Sequence, residues 1–206
     1  MIEYGKFNDI QLDVLKEIGN IGSGNAASSL AQMIGKTIDM TVPKVDMMRY
    51  GDLAEALGGV ENLIVGIMID VTDDLRGTMM FLLQQEFTHE VFNALLGAET
   101  RDFSALSEMD LSVIQEIGNI LSASYLNAIA SLTDLRISIS VPAICVDMVG
   151  AILSVPAIKY GDIGDEVLLI EGAFTGREDK ADIKTKLILI LEEASLALLM
   201  GRLGVA

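Results

Sequence analysis

An α+β fold is expected for this chain: an internally duplicated α–β unit with pseudo-two-fold symmetry and a mainly antiparallel sheet. Three observations lead there. The stretches Asn8–Arg49 and Ser107–Met148 align without a gap. Each opens on a long helical pattern and runs on into segments of strand character. A repeat of roughly a hundred residues is far longer than the period of any solenoid. At 206 residues the chain has ample material for a buried core. No linker rich in Pro, Gly and Ser separates the copies, so one domain over residues 1–206 is expected, with repeats at about 8–97 and 107–204.

The elements follow the same order in both copies. Asn8 or Asp9 in the first, and "SEMD" from Ser107 in the second, are helix-capping signals. A helix of roughly 25 residues follows each. Next come "IDMTVP" and "RISISVP", alternating stretches whose residue before proline is pushed towards extended geometry. "YGDLAEALGG" predicts a short helix, with a weaker counterpart around "DMVGAIL". "NLIVGIMIDV" and "LRGTMMFLL" predict two strands joined by "TDD". "EVLLIEGAF" and "IKTKLILIL" are their counterparts, joined by the polar "TGREDKAD". The helix "QQEFTHEVFNALLG" closes the first unit at Gly97, a C-terminal cap, and "EEASLALLMGRLG" closes the second.

Composition narrows the function classes. Half the residues are hydrophobic, yet the net charge is -16. An apolar interior under an acidic surface repels phosphate backbones and anionic lipid, so neither nucleic acid nor a membrane is an expected partner. No apolar run approaches the ~20 residues of a spanning helix. The N-terminal "MIEYGKFNDIQLD" lacks a basic region followed by an apolar stretch, so a cytoplasmic protein is expected. A single cysteine excludes an internal disulfide, and one histidine beside it offers no metal cluster of nitrogen and sulfur ligands.

Both long helices contain Glu-Ile-Gly-Asn, from Glu17 and from Glu116. Helical spacing puts Asp13, Glu17 and Asn20 on one face, and Ser112, Glu116 and Asn119 on the equivalent face. Val14, Leu15, Ile18, Ile21 and Ala26 would face the sheet. Gly24 and Ala123 beside the asparagines would leave room for close approach. A carboxylate and an amide on an exposed helix are ordinarily a solvated face. Here they recur in register while their neighbours change. Glycine inside a helix costs ~1 kcal/mol relative to alanine. Gly19 and Gly118 read as places where the two long helices meet.

The doubled pattern Asp/Ser-x-x-x-Glu-x-x-Asn, followed at a fixed distance by Pro43 and Pro142, resembles the signature of the CheC/CheX/FliY family of chemotaxis phosphatases. It covers both repeats, and the two-repeat layout resembles the CheC type. The resemblance implies two long helices exposed side by side on a shared sheet. It implies hydrolysis of the aspartyl phosphate of the response regulator CheY. Asn20 and Asn119 would orient the attacking water, and Glu17 and Glu116 would dock on the regulator's lysine. Asp13 and Ser112 would support docking, while Pro43 and Pro142 would shape the following strand. The chain itself would need no cofactor or metal, since Mg²⁺ would be held by CheY. A second implied partner is the receptor deamidase CheD.

The remaining candidates carry less. His89 in "FTHEVF" reads as a helix-surface residue, and Cys145 between apolar neighbours as a small core residue. Asp13 and Glu17, adjacent on one convex face without a pocket, are poorly placed for a glycosidase pair. The rival reading is an adaptor acting mainly through CheD. The apolar "VDMVGAILSVP" from Val146, with Met148 and Ile152, is its candidate contact surface.

Overall fold

The capping signals start both long helices. In the computed structural model, which describes residues 7–41, 43–97, 102, 103, 105–161, 166–176 and 182–206, α1 spans Asp9–Ile34. Asn8 is its cap: Asn8 Oδ1 accepts from the Gln11 amide at 2.9 Å, and Gln11 Oε1 accepts from the Asn8 amide at 3.0 Å. α4, Glu108–Thr133, is capped in the same reciprocal way by Ser107 and Asp110. Between them lie β1 (Ile38–Met40), β2 (Lys44–Arg49), α2 (Tyr50–Ala56), β3 (Leu63–Asp73), β4 (Gly77–Leu83) and α3 (Gln85–Leu96). After α4 the same order returns: β5 (Ile137–Ile139), β6 (Ala143–Met148), α5 (Val149–Lys159), β7 (Glu166–Gly176), β8 (Asp182–Leu191) and α6 (Glu193–Arg202).

The strands form one antiparallel sheet in the order β1-β7-β8-β4-β3-β5, with β2 also on β7 and β6 also on β3. The short strands therefore change sides. β1 and β2 pair with β7, more than a hundred residues later, and β5 and β6 pair with β3. The β4–β8 pair, with Met80 opposite Ile188, lies at the middle of the order.

Alternation along the strands divides the interior in two. Ile67, Phe81, Ile170 and Leu187 point to one face and form a core with Leu15 and Ile18 of α1, Ile114 and Ile117 of α4, and residues of α3 and α6. Ile64, Leu82, Leu169 and Ile188 point to the other face, under Leu53 and Leu57 of the α2 segment and Val149, Ile152 and Leu153 of α5. With both faces covered, β4 is buried at every residue, which explains its unbroken apolar run.

Four expectations are corrected here. β2 and β6 follow the prolines as separate strands that the sequence did not announce. α5 is 11 residues long against 7 for α2, so the counterpart judged weaker is the longer helix. Ile152 is 4% exposed and belongs to the second core, although Met148 at 51% does face outward. Cys145 is exposed on the edge strand β6, not in the core, because its apolar neighbours alternate about a strand at the sheet margin. Residues 177–181 of the polar connection between β7 and β8 lie outside the described residues.

Candidate functional site

The face of α1 and α4 turned from the sheet carries the repeated motif. Leu15, Ile18, Ile114 and Ile117 are buried, so the residues a half-turn away must point outward. Asp13, Glu17, Ser112, Glu116 and Asn119 are exposed, and Asn20 is half-buried. Val14 and Ile21 are half-buried at the edges of the apolar face.

Gly19 and Gly118 act differently from the expected helix–helix contact. A Cβ at Gly19 would meet Pro43 Cγ at 3.2 Å and Ile170 at 3.3 Å. One at Gly118 would meet Ile67 at 2.8 Å and Pro142 at 3.4 Å. Both glycines rest on the sheet, each against the buried proline of its own copy. Pro43 and Pro142 thus touch the motif helix from below, in addition to leading into β2 and β6. The motif now reads residue by residue: Glu outward, Ile into the core, Gly down onto the proline, Asn outward. A glycine before each asparagine fixes how closely that turn of helix lies on the sheet.

The two long helices meet one turn further on. A Cβ at Gly22 would fall 2.5 Å from Tyr125 Cδ1, so only glycine admits the ring. The Tyr125 and Ser23 hydroxyls share a buried hydrogen bond of 2.7 Å. Burial pushes the Tyr125 phenol above its ordinary pKa, against the opposing pull of Ser23. The helices run antiparallel, because Asn25, Ser28 and Ser29 from late in α1 line one groove with Glu116 and Asn119 from early in α4. That groove, of about 480 Å³, also has Ser124 and Asn127 in its wall and opens to solvent. A second groove holds Asp13 and Glu17 together with Leu132 of α4 and Arg202 of α6. The motif copies therefore stand towards opposite ends of the helix pair, each completed by other elements. Sequence reading missed these completing residues. Aligning the closing glycines Gly97 and Gly204 sets Arg202 against Leu95, and that difference was available as a signal.

Local pairing separates the motif positions. Lys16 Nζ donates to Asp13 Oδ1 at 2.9 Å, and this bond raises the pKa of the exposed ammonium. Ser112 Oγ donates to the Glu108 carbonyl at 2.8 Å. The side chains of Glu17, Asn20, Glu116 and Asn119 have no hydrogen bond or ion pair among the described residues. No group of three or more His, Cys, Asp or Glu among the described residues could hold a metal ion. His89 is half-buried on α3, edge-on to Phe103 at 4.8 Å, and lines neither groove.

Comparison with known proteins places this arrangement. The CheC-like family model matches residues 10–46 and 109–146, the helix-and-proline segment of each copy. The chain is 32% identical over 203 residues to the Bacillus subtilis protein named CheY-P phosphatase CheC, covering 96% of this chain and 97% of that one. The chain belongs to the CheC-like family. Among solved structures, Thermotoga maritima FliY superposes with a TM-score of 0.74 at 20% identity, over 96% of this chain and 98% of that one. The middle domain of H. pylori FliM does so with a TM-score of 0.68 at 11% identity, over 94% and 98%. At those identities the likeness is one of fold. It includes the mixed helix and antiparallel-sheet architecture expected from the sequence. No helix among the described residues of this CheC-like chain is long and apolar enough to cross a membrane.

Proposed function

We propose that this chain is a chemotaxis phosphatase that accelerates hydrolysis of the aspartyl phosphate of CheY, using one Glu/Asn pair on each long helix. The observation that carries the reading is the state of those pairs. On the outer face of the helix pair, Glu17, Glu116 and Asn119 are exposed and Asn20 is half-buried, and none has a side-chain hydrogen bond or ion pair among the described residues. Their grooves are open, so the surface suits a macromolecular substrate better than a small one. The similarity to the B. subtilis phosphatase supports the same reading.

In this mechanism the helix docks on the regulator, and a carboxamide from Asn20 or Asn119 enters beside the phosphoryl group. The amide accepts one hydrogen bond from water and donates another, so it can orient the nucleophile without titrating. The water oxygen forms a bond to phosphorus as the bond from phosphorus to the aspartyl oxygen breaks. Free carboxylate and inorganic phosphate result. Glu17 or Glu116 pairs with the regulator's lysine and sets the approach. Any Mg²⁺ is held by the regulator. Positioning and electrostatics suffice because an acyl phosphate is already activated. Asp13 and Ser112 assist docking. Gly19 and Gly118 on Pro43 and Pro142 set the depth from which the asparagines reach.

The chain works in the cytoplasm as one domain of two repeats, 8–97 and 107–204. CheD is a second partner, and the adaptor role is compatible with catalysis. Met148 at the end of β6, 51% exposed, and Val155 and Ile158 of α5, at 44% and 82%, keep apolar side chains available for it. The deciding experiment follows the decay of phosphorylated CheY with wild-type protein and with Asn20→Ala/Asn119→Ala. Wild type is expected to accelerate the decay, and the double variant to lose acceleration while still binding. Full turnover by the variant removes both residues from the mechanism. No acceleration by folded wild type, with or without CheD, leaves the adaptor role.

A further inference from the structure

We infer that Arg202 is a positioning residue of the first site alone, recognising a carboxylate on the docked partner. The inference rests on the phosphatase reading and adds an asymmetry between its two sites. Arg202 closes α6, and its bland role would be to offset the carbonyl end of that helix. Its position adds another role. It lines the groove that contains Asp13 and Glu17, and it is exposed there with no ion pair among the described residues. Lys16, the cation that α1 carries beside the motif, is engaged by Asp13.

The backbone that carries Arg202 is held from two sides. Gln11, nearly buried in the first turn of α1, donates from Nε2 to the Val205 carbonyl at 3.0 Å, tying the chain after α6 to the start of α1. Leu199 and Met200 anchor the last turn of α6 in the core. A planar, permanently charged fork on a fixed support suits a carboxylate. The groove reaches Glu17 but does not include Asn20, so Arg202 serves the docking end, away from the phosphoryl group. For the second site the equivalent places hold no cation: Leu95 of α3 stands where α6 has Arg202, and Gln115 of α4 where α1 has Lys16. The second site's groove is lined by Asn25, Ser28, Ser29 and Asn127 and contains no cation. On a chain of net charge -16, one unpaired cation beside one of two sites separates them electrostatically.

The test measures kcat and KM for phosphorylated CheY at low and high salt in two backgrounds, with melting curves as a check on folding. In Glu116→Ala/Asn119→Ala protein, where only the first site remains, Arg202→Ala should raise KM about two- to fivefold. Arg202→Glu should raise it further, Arg202→Lys should restore most of the loss, and kcat should hold throughout. The Ala variant should also lose part of the salt dependence. In Glu17→Ala/Asn20→Ala protein the same changes should leave KM within twofold. Equal effects in both backgrounds, an effect on kcat alone, or none at all overturns the inference. So does an inactive Glu116→Ala/Asn119→Ala protein, since the first site then turns over nothing. An inactive wild type overturns the phosphatase reading itself.

Discussion

Gly22 and Gly118 show how single missing methyl groups set the geometry of the helix pair. Gly22 faces the Tyr125 ring, and a methyl there would overlap it by about an ångström. Gly22→Ala should therefore destabilise by ~1–3 kcal/mol, as overpacked cores do. Urea unfolding would measure it, and the loss should shrink when Tyr125 is replaced by Leu. A cost that is the same in both backgrounds would show that the ring is not the obstacle. Gly118→Ala acts on function, because Ile67 at 2.8 Å would lift the turn bearing Asn119. The glycines were visible in the sequence as costly helix residues, but what they touch was not. Glycine in a helix signals close approach without naming the neighbour, and here the sheet prolines and a tyrosine divide that role.

At the level of elements, α5 is tied to the sheet by a small polar cluster. Lys159 Nζ donates to Asp70 Oδ1 at 2.6 Å and to Thr78 Oγ1 at 3.1 Å, and the Thr78 and Tyr160 hydroxyls lie 2.6 Å apart. The hydrogen bond from Lys159, more than that from Thr78, holds the Asp70 carboxyl below its ordinary value. A carboxyl depressed in the folded state contributes fully above its unfolded pKa and loses that contribution as pH falls through the folded one. Asp70→Asn should therefore make stability less sensitive to pH below about 4, with a modest effect because both partners are nearly half exposed. Chemical denaturation at pH 3 and pH 7 checks it. An unchanged difference between the two pH values would show that other carboxylates set the acid limb. Both long helices, their caps and the αL glycine at Gly97 were legible, since each depends on neighbours a few residues away. β2 and β6 were not, because the six residues of each, KVDMMR and AICVDM, do not sustain an alternation of apolar and polar residue types. α5 was obscured by Pro156 in its interior.

For the whole molecule, the exchange of short strands matters most, and no local pattern announces it. Duplication was read from the alignment, and pooling of strands into one sheet was expected. That β2 lies on β7, with Val45 opposite Ile170, depends on residues too distant to leave a periodic trace. Residues 1–103 and 104–206, expressed apart, should each remain unstructured or associate with themselves. Mixed, they should recover a cooperative transition and the spectrum of the intact chain. A stable monomeric half would contradict the interlocked sheet. Site geometry depends on the same interlock, because Gly19 rests on Ile170 from β7 and Gly118 on Ile67 from β3.

The exchange also has a consequence in time. On the ribosome, β1 and β2 emerge well before their partner β7 exists, separated from it by on the order of a hundred residues. At ~5–20 residues per second, that interval is on the order of ten seconds. During it, two strands with three methionines between them have bare edges and no native neighbour, the condition in which chains pair wrongly with each other. The growing protein is therefore most vulnerable between the synthesis of β2 and that of β7, since β7 must be made before the first strands find their place.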